Sequence, residues 1–256
     1  MNSYVSFFLL IFGTQVITGC ATKLNSSKKI FDPYKVKMSM EDKSGKFEVV
    51  RESGRSKNSG ELVTKYRVYQ GSQKQQVPLE QSIVFSTTGI FKKNTRLLRP
   101  EKSQYKVWFG KKLYMSETSV DKEKKSLRIK MKSPESQWNG EKIIPFPGGN
   151  GMFCYFSQLV DCIKYTGFID KAKKVKGGRL QLHVIWDGYP YFQEQYDGLE
   201  NSPFSSAIFE YDGQTDSKDF RFSLTVSGNV IFYLFNDKIE YAKVFWPSQG
   251  YSLYHN

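Results

Sequence analysis

Ser126-Leu127-Arg128-Ile129-Lys130-Met131-Lys132 alternates apolar and basic residues without a break. A strand sends successive side chains to opposite faces, so Leu127, Ile129 and Met131 share one face and Arg128, Lys130 and Lys132 the other. Tyr34-Lys-Val36-Lys-Met38-Ser-Met40 has the same period of two. Half-buried strands are therefore expected at 34–40 and 126–132. Further strand candidates lie at 46–52, 61–70, 82–87, 95–99, 103–109 and 112–117, then at 179–187, 205–212, 219–227, 229–235 and 238–246. Gly110-Lys111, Asp212-Gly213, Ser227-Gly228 and Asn236-Asp237 supply turns between them. Links this short join antiparallel neighbours, because parallel pairs need long crossovers. The pattern predicts a mainly β fold built as an antiparallel meander and argues against a doubly wound α/β domain.

One segment departs from the period of two. Met152, Phe156, Leu159, Val160 and Ile163 recur at helical spacing, after the loop Pro145-Phe-Pro147-Gly-Gly-Asn-Gly151. A more basic stretch, Phe168 to Lys176, reads as a second helical turn stopped by Gly177-Gly178. The expected architecture is a curved antiparallel sheet or unclosed β-barrel with one or two short helices packed on it. It forms a single β-rich domain over 33–256, with a helical insertion near 151–176.

Composition narrows the class. The chain has 256 residues, 39% of them hydrophobic and 16% aromatic, which excludes a disordered chain and a polytopic membrane protein. Two histidines and three cysteines leave little material for zinc, so no metal and no cofactor is expected. Net charge is +13 and unevenly placed: residues 1–150 hold 28 Lys and Arg against 13 Asp and Glu, whereas residues 151–256 hold 10 against 12. Such asymmetry points to an anionic neighbour such as lipid head groups, or else to lysines that only solvate strand faces. Arg128, Lys130 and Lys132 are the candidate anion contacts.

The first 19 residues carry no charged side chain, and Phe7 to Phe12 is an unbroken apolar run. That is short of the roughly 20 apolar residues needed to span a bilayer and matches a signal-peptide core. The run closes on Ile17-Thr18-Gly19-Cys20, which resembles the lipobox of bacterial lipoproteins. The resemblance implies cleavage before Cys20 and acylation of its sulfur and new amine, with 1–19 as signal peptide. Residues 20–32 form the lipidated terminus and a Ser/Lys-rich tether. Ala21, in place of aspartate, implies the outer membrane, with the domain facing the periplasm by default. An exported chain would rarely meet nucleic acid, so the expected partners are the membrane, a lipid or another envelope protein. The strand pattern and setting also resemble the unclosed β-barrels of the LolA/LolB type. Their concave face shelters acyl chains; the Phe, Leu, Met and Tyr side chains here would line such a cavity or equally fill a core.

Cys154 and Cys162 remain once Cys20 carries lipid. Export favours a disulfide, but one unbroken helix through both would hold their Cα atoms about 12 Å apart, against the roughly 7 Å limit for a bridge. Either the helix is interrupted and the pair is bridged, or both are reduced and buried. His183 and Asp187 are spaced to share a strand face, yet no G-x-S-x-G elbow accompanies them. The Gly148–Gly151 run, the acid pairs Glu41-Asp42 and Glu194/Asp197, and the aromatics Trp186, Tyr189, Tyr191, Trp246, Tyr251 and Tyr254 read as turns, surface and core. Trp138, in a Pro/Gly-rich loop, is the better ligand-contact candidate. The expected function is non-enzymatic: an anchored envelope protein that binds an apolar or anionic envelope component or assists its assembly. A structural or surface-interaction protein with a filled core is the alternative, and an envelope-polymer hydrolase a weaker one.

Overall fold

β1 (Tyr34–Asp42), β2 (Gly45–Arg55), β3 (Leu62–Gln70), β4 (Glu80–Ile90), β5 (Arg96–Phe109), β6 (Lys112–Asp121), β7 (Ser126–Lys132) and β8 (Gly140–Pro145) run as a continuous antiparallel meander. The chain then makes β9 (Phe153–Tyr155), the helices α1 (Leu159–Thr166) and α2 (Phe168–Val175), and β10 (Arg179–Ile185). A short helix α3 (Tyr191–Gln195) follows, and then β11 (Phe204–Gln214), β12 (Phe220–Val226), β13 (Asn229–Phe235), β14 (Tyr241–Trp246) and β15 (Tyr251–His255). This computed structural model describes residues 33–56, 59–71, 77–90, 96–148, 151–238 and 240–255. The lipobox, Cys20 and the tether lie outside the described residues.

Among the described residues, 15 strands form one sheet in the order β8-β7-β6-β5-β4-β3-β2-β1-β15-β14-β13-β12-β11-β10-β9. The meander thus leaves β1 in one direction, and the return half closes back on it through β15, with Met38 opposite His255 and Glu41 opposite Ser252. The two free edges, β8 and β9, are consecutive in the chain. The eight Cα steps from Pro145 to Phe153 span at most about 28 Å, so the sheet must roll until its edges approach. Phe146 crosses the seam, its ring 4.8 Å from that of Phe153 and 5.0 Å from that of Phe204. The sheet is unclosed but strongly curved.

Local chemistry sets the turns. Val226 pairs with Asn229 across Ser227-Gly228, both at positive φ (48° and 72°), the two-residue turn whose twist matches flanking strands. Inside the roll, alternation buries Leu127 and Ile129 completely and leaves Lys130 and Lys132 exposed. The return half contributes an aromatic inner face: Phe209 stacks on Phe222 at 5.2 Å, and Phe235 meets Phe222 at 5.7 Å.

Several expectations change. The candidates 95–99 and 103–109 are one strand, β5, with Pro100 placed beside a register shift between Phe85 and Ser86, where a missing N–H is tolerated. β8, β9 and β15 add to the sheet; β8 is mostly exposed and β9 and β15 are short, so none shows a clean alternation. β14 starts at Tyr241 rather than 238, and β10 ends at Ile185. The helical stripe is shorter than its spacing implies. Met152 precedes β9 and Phe156 opens a 3-10 turn, so only Leu159, Val160 and Ile163 are helical. One pair, β9 with β10, is parallel, joined by the α1–α2 crossover. Among the described residues no helix is long and apolar enough to cross a membrane.

Candidate functional site

The inner face of β2 to β6 is unusual for a core, because small polar residues occupy it. Ser53, Thr64, Ser82, Ser86, Ser103, Ser116 and Thr118 are all buried there. They face the segment from β9 to α3, which lies inside the roll and is pinned to them. Asp161 of α1 accepts Arg51 Nη2 at 2.7 Å, Tyr34 Oη at 3.0 Å and Thr64 Oγ1 at 3.3 Å. Gln158 donates to Thr64 Oγ1 at 3.0 Å and accepts Ser86 Oγ at 2.5 Å. Asp187 accepts the hydroxyls of Ser82 and Ser157 and the Ser157 amide. Ser116 reaches the Tyr189 carbonyl at 2.7 Å, and Thr118 lies 2.8 Å from Tyr155 Oη. Small side chains leave room for this segment, and their hydroxyls satisfy its buried polar groups.

Between that segment and the β1–β15 half a cavity of about 80 Å³ remains. Glu80, Asp187, Arg51, Tyr66, Tyr105 and Tyr196 supply its polar wall, and Trp246, Tyr233 and Leu253 its apolar one. Glu80 is 3% exposed, and burial pushes its carboxyl up to about 7, against hydrogen bonds from Gln195 and Tyr105 and with the Asp187 charge adding to the rise. Burial likewise raises Asp187, opposed by the Ser82 and Ser157 hydroxyls. Tyr66, Tyr105 and Tyr196 are pushed well above the usual phenol range by the same burial. Arg51, which also lines the cavity, is engaged by Asp161 at 2.7 Å. The cavity holds a few water-sized groups, far below the roughly 300 Å³ or more of a small-molecule pocket. The acyl-sheltering hollow that the LolA/LolB resemblance implies is occupied by protein: α1, α3 and their aromatic neighbours.

The residues singled out in the sequence fall as follows. Cys154 and Cys162 are joined by a disulfide with Cα atoms 6.2 Å apart, which ties β9 to α1. The helix begins only at Leu159, so the unbroken-helix alternative does not occur. Arg128, Lys130 and Lys132 share the outer face of β7, but acids interleave with them. Arg128 Nε lies 3.2 Å from Glu141, and Lys130 stands directly between Glu117 and Glu141 in the sheet. Cross-strand pairing of opposite charges makes this a balanced face rather than a cationic one.

His183 and Asp187 are not brought together. The His183 ring stacks on Phe153 at 4.8 Å and lies 3.4 Å from Ser206 Oγ, with burial alone lowering its pKa. Gly151 is glycine for a reason, since a Cβ there would meet the His183 ring at 2.4 Å. Asp42 serves the β1–β2 turn by accepting the Ser44 amide at 2.7 Å. Trp138 sits in a 3-10 turn (Ser136–Trp138) and packs against Tyr191, whose hydroxyl donates to its carbonyl at 2.9 Å. Trp186, Tyr189, Tyr191 and Trp246 are buried in the core. Trp186, Phe192, Tyr196 and Trp246 pack ring against ring in series, at 5.2, 4.5 and 5.2 Å, the outer two pairs stacked and the middle pair tilted.

Among the described residues no group of three or more His, Cys, Asp or Glu stands together as a metal site. No protein-family model matches the chain, and neither a curated protein nor a solved structure matches it.

Proposed function

We propose that this chain is a bacterial outer-membrane lipoprotein, acylated at Cys20, whose rolled sheet works without covalent chemistry as an interaction body in the envelope. The observation that carries the second half of this reading is the filled roll. Its buried acids Asp161, Asp187 and Glu80 are held by hydroxyls, Arg51, the Ser157 amide and the Gln195 side-chain amide, and each is under a tenth exposed. Groups engaged in that way pin the inner segment rather than meet a substrate. Binding is then left to the outer surface, where most of the lysines lie. The first half rests on Ile17-Thr18-Gly19-Cys20 and the apolar run before it. Two or three acyl chains give a stable anchor, since each buried methylene contributes ~0.8 kcal/mol and one chain alone binds marginally.

Labelling of growing cells with radioactive palmitate tests the anchor. The wild-type chain should take label and the Cys20→Ser variant should not. Label retained on that variant would overturn the reading.

A further inference from the structure

We infer that one end of the roll, the end at which β1 begins, lies on an anionic lipid surface through α2 and the β6–β7 turn. The inference rests on the anchored reading above and adds an orientation to it. Register places the relevant parts together. Tyr34 is opposite Ser53, Arg55 opposite Leu62 and Asp121 opposite Ser126, so the start of β1, the β2–β3 connection and the β6–β7 turn share one end. The α1–α2 pair packs at that end. Tyr34, the first residue of β1, hydrogen-bonds Asp161 of α1, and Lys173 of α2 donates to the Asp237 carbonyl at 2.9 Å, in the turn between β13 and β14.

The charge at this end is predominantly basic beside the seam. α2 buries Ile169 and Ala172 and turns Lys171, Lys174 and Val175 outward, with Lys176 just beyond; Val175 is 64% exposed. Across the seam, the β6–β7 turn exposes Lys124 and Lys125, and the Lys125 carbonyl holds the Phe146 amide at 2.8 Å where the chain leaves β8. Asp121, Glu123 and Asp170 are the acids interspersed, with Asp121 accepting the Lys124 amide at 3.0 Å, and Asp237 lies beside Lys173. A short amphipathic helix with lysines around one exposed apolar side chain suits the interface of an anionic bilayer. The anchor favours the same end. Thirteen Cα steps separate Cys20 from Pro33, a reach of at most about 45 Å, and they enter the sheet there. At the opposite end Lys111 and Lys112 lie at the β5–β6 turn, and Lys112 pairs with Glu135 at 3.3 Å.

The test is a lysine footprint of the full acylated chain in nanodiscs of phosphatidylcholine, with or without phosphatidylglycerol. Water-soluble acetylating reagent is applied and the modified sites are read by mass spectrometry. Phosphatidylglycerol should slow modification of Lys124, Lys125, Lys171, Lys174 and Lys176 several-fold at low salt, and high salt should reverse it. Lys111 and Lys112 should be unaffected. A variant carrying K124Q, K125Q, K171Q and K174Q should lose protection at Lys176, at roughly fivefold in surface affinity per lysine removed. Equal modification at both ends, or protection of Lys111 and Lys112 instead, overturns the orientation. If Cys20→Ser leaves retention in the discs unchanged, the anchor falls on its own; the phosphatidylglycerol-dependent footprint still reads the surface.

Discussion

Replacing Glu80 by glutamine should make the protein more stable at neutral pH and remove part of its pH dependence. Glu80 ionises near pH 7 in the folded chain, chiefly because burial disfavours its charge, against an ordinary value of 4.5. A raised carboxyl pKa means that the folded state holds the proton more tightly than the unfolded state. Its contribution is therefore complete below about pH 4.5, declines as pH rises from there to about 7, and is level above. The gap of about 2.5 pKa units corresponds to about 3 kcal/mol at 1.36 kcal/mol per unit. Glu52 is lowered by its hydrogen bond to Lys35 and persists in the variant, so it cancels in the difference; Asp187, raised in the same direction by burial, is relieved of the Glu80 charge in the variant, which contributes to the gain. Glutamine keeps an oxygen for the Gln195 amide that now reaches Glu80 Oε2 at 3.2 Å. Urea denaturation at half-unit steps from pH 4.5 to 8 measures both chains. The variant should gain on the wild type by about 3 kcal/mol across that range. Parallel stability curves would refute the reasoning, because they would place Glu80 in contact with solvent.

Other perturbations act on the same interior. Arg51→Met should cost about 3–5 kcal/mol by stranding the Asp161 carboxylate in the roll, and adding Asp161→Leu should recover most of it, as read by denaturant midpoints. Reducing the Cys154–Cys162 bridge, which closes a short loop, should cost about 2–3 kcal/mol, and thiol counting on the denatured, unreduced chain should find neither sulfur free. Gly188→Ala would bring a Cβ to 2.8 Å from the Tyr105 ring and should cost about 1–3 kcal/mol in thermal or urea unfolding, whereas Gly177→Ala, with nothing within 4 Å, should be close to neutral.

The sheet is legible in the sequence because a half-buried strand writes its two faces into alternate residues, as β1 and β7 do. Parts without that contrast are not. β8 is mostly exposed on both faces, and β15 is five residues long. The α1 stripe misleads because Phe156 and Met152 reach the same core from a 3-10 turn and a loop, with apolar spacing that happens to continue the helical one. The pinning network was missed for a different reason. Ser82, Ser86, Ser116 and Thr118 sit at inward positions of their strands, yet a search for apolar alternation discounts them. Polar residues on the face that alternation assigns to the interior are the signal that would have found them. Their partners Asp161 and Asp187 lie 97 residues from Thr64 and 105 from Ser82 along the chain, so no local pattern links them. The interleaving of Glu117 and Glu141 with Lys130 is equally invisible until register is known.

Intact-mass measurement of the protein released from its own envelope under non-denaturing conditions reads both the anchor and the filled interior in one spectrum. The expected species is a polypeptide beginning at Cys20, carrying covalent acyl groups and no further lipid held within the folded chain. A chain without acyl groups, or one that retains a non-covalent lipid inside the roll, would contradict the proposed function.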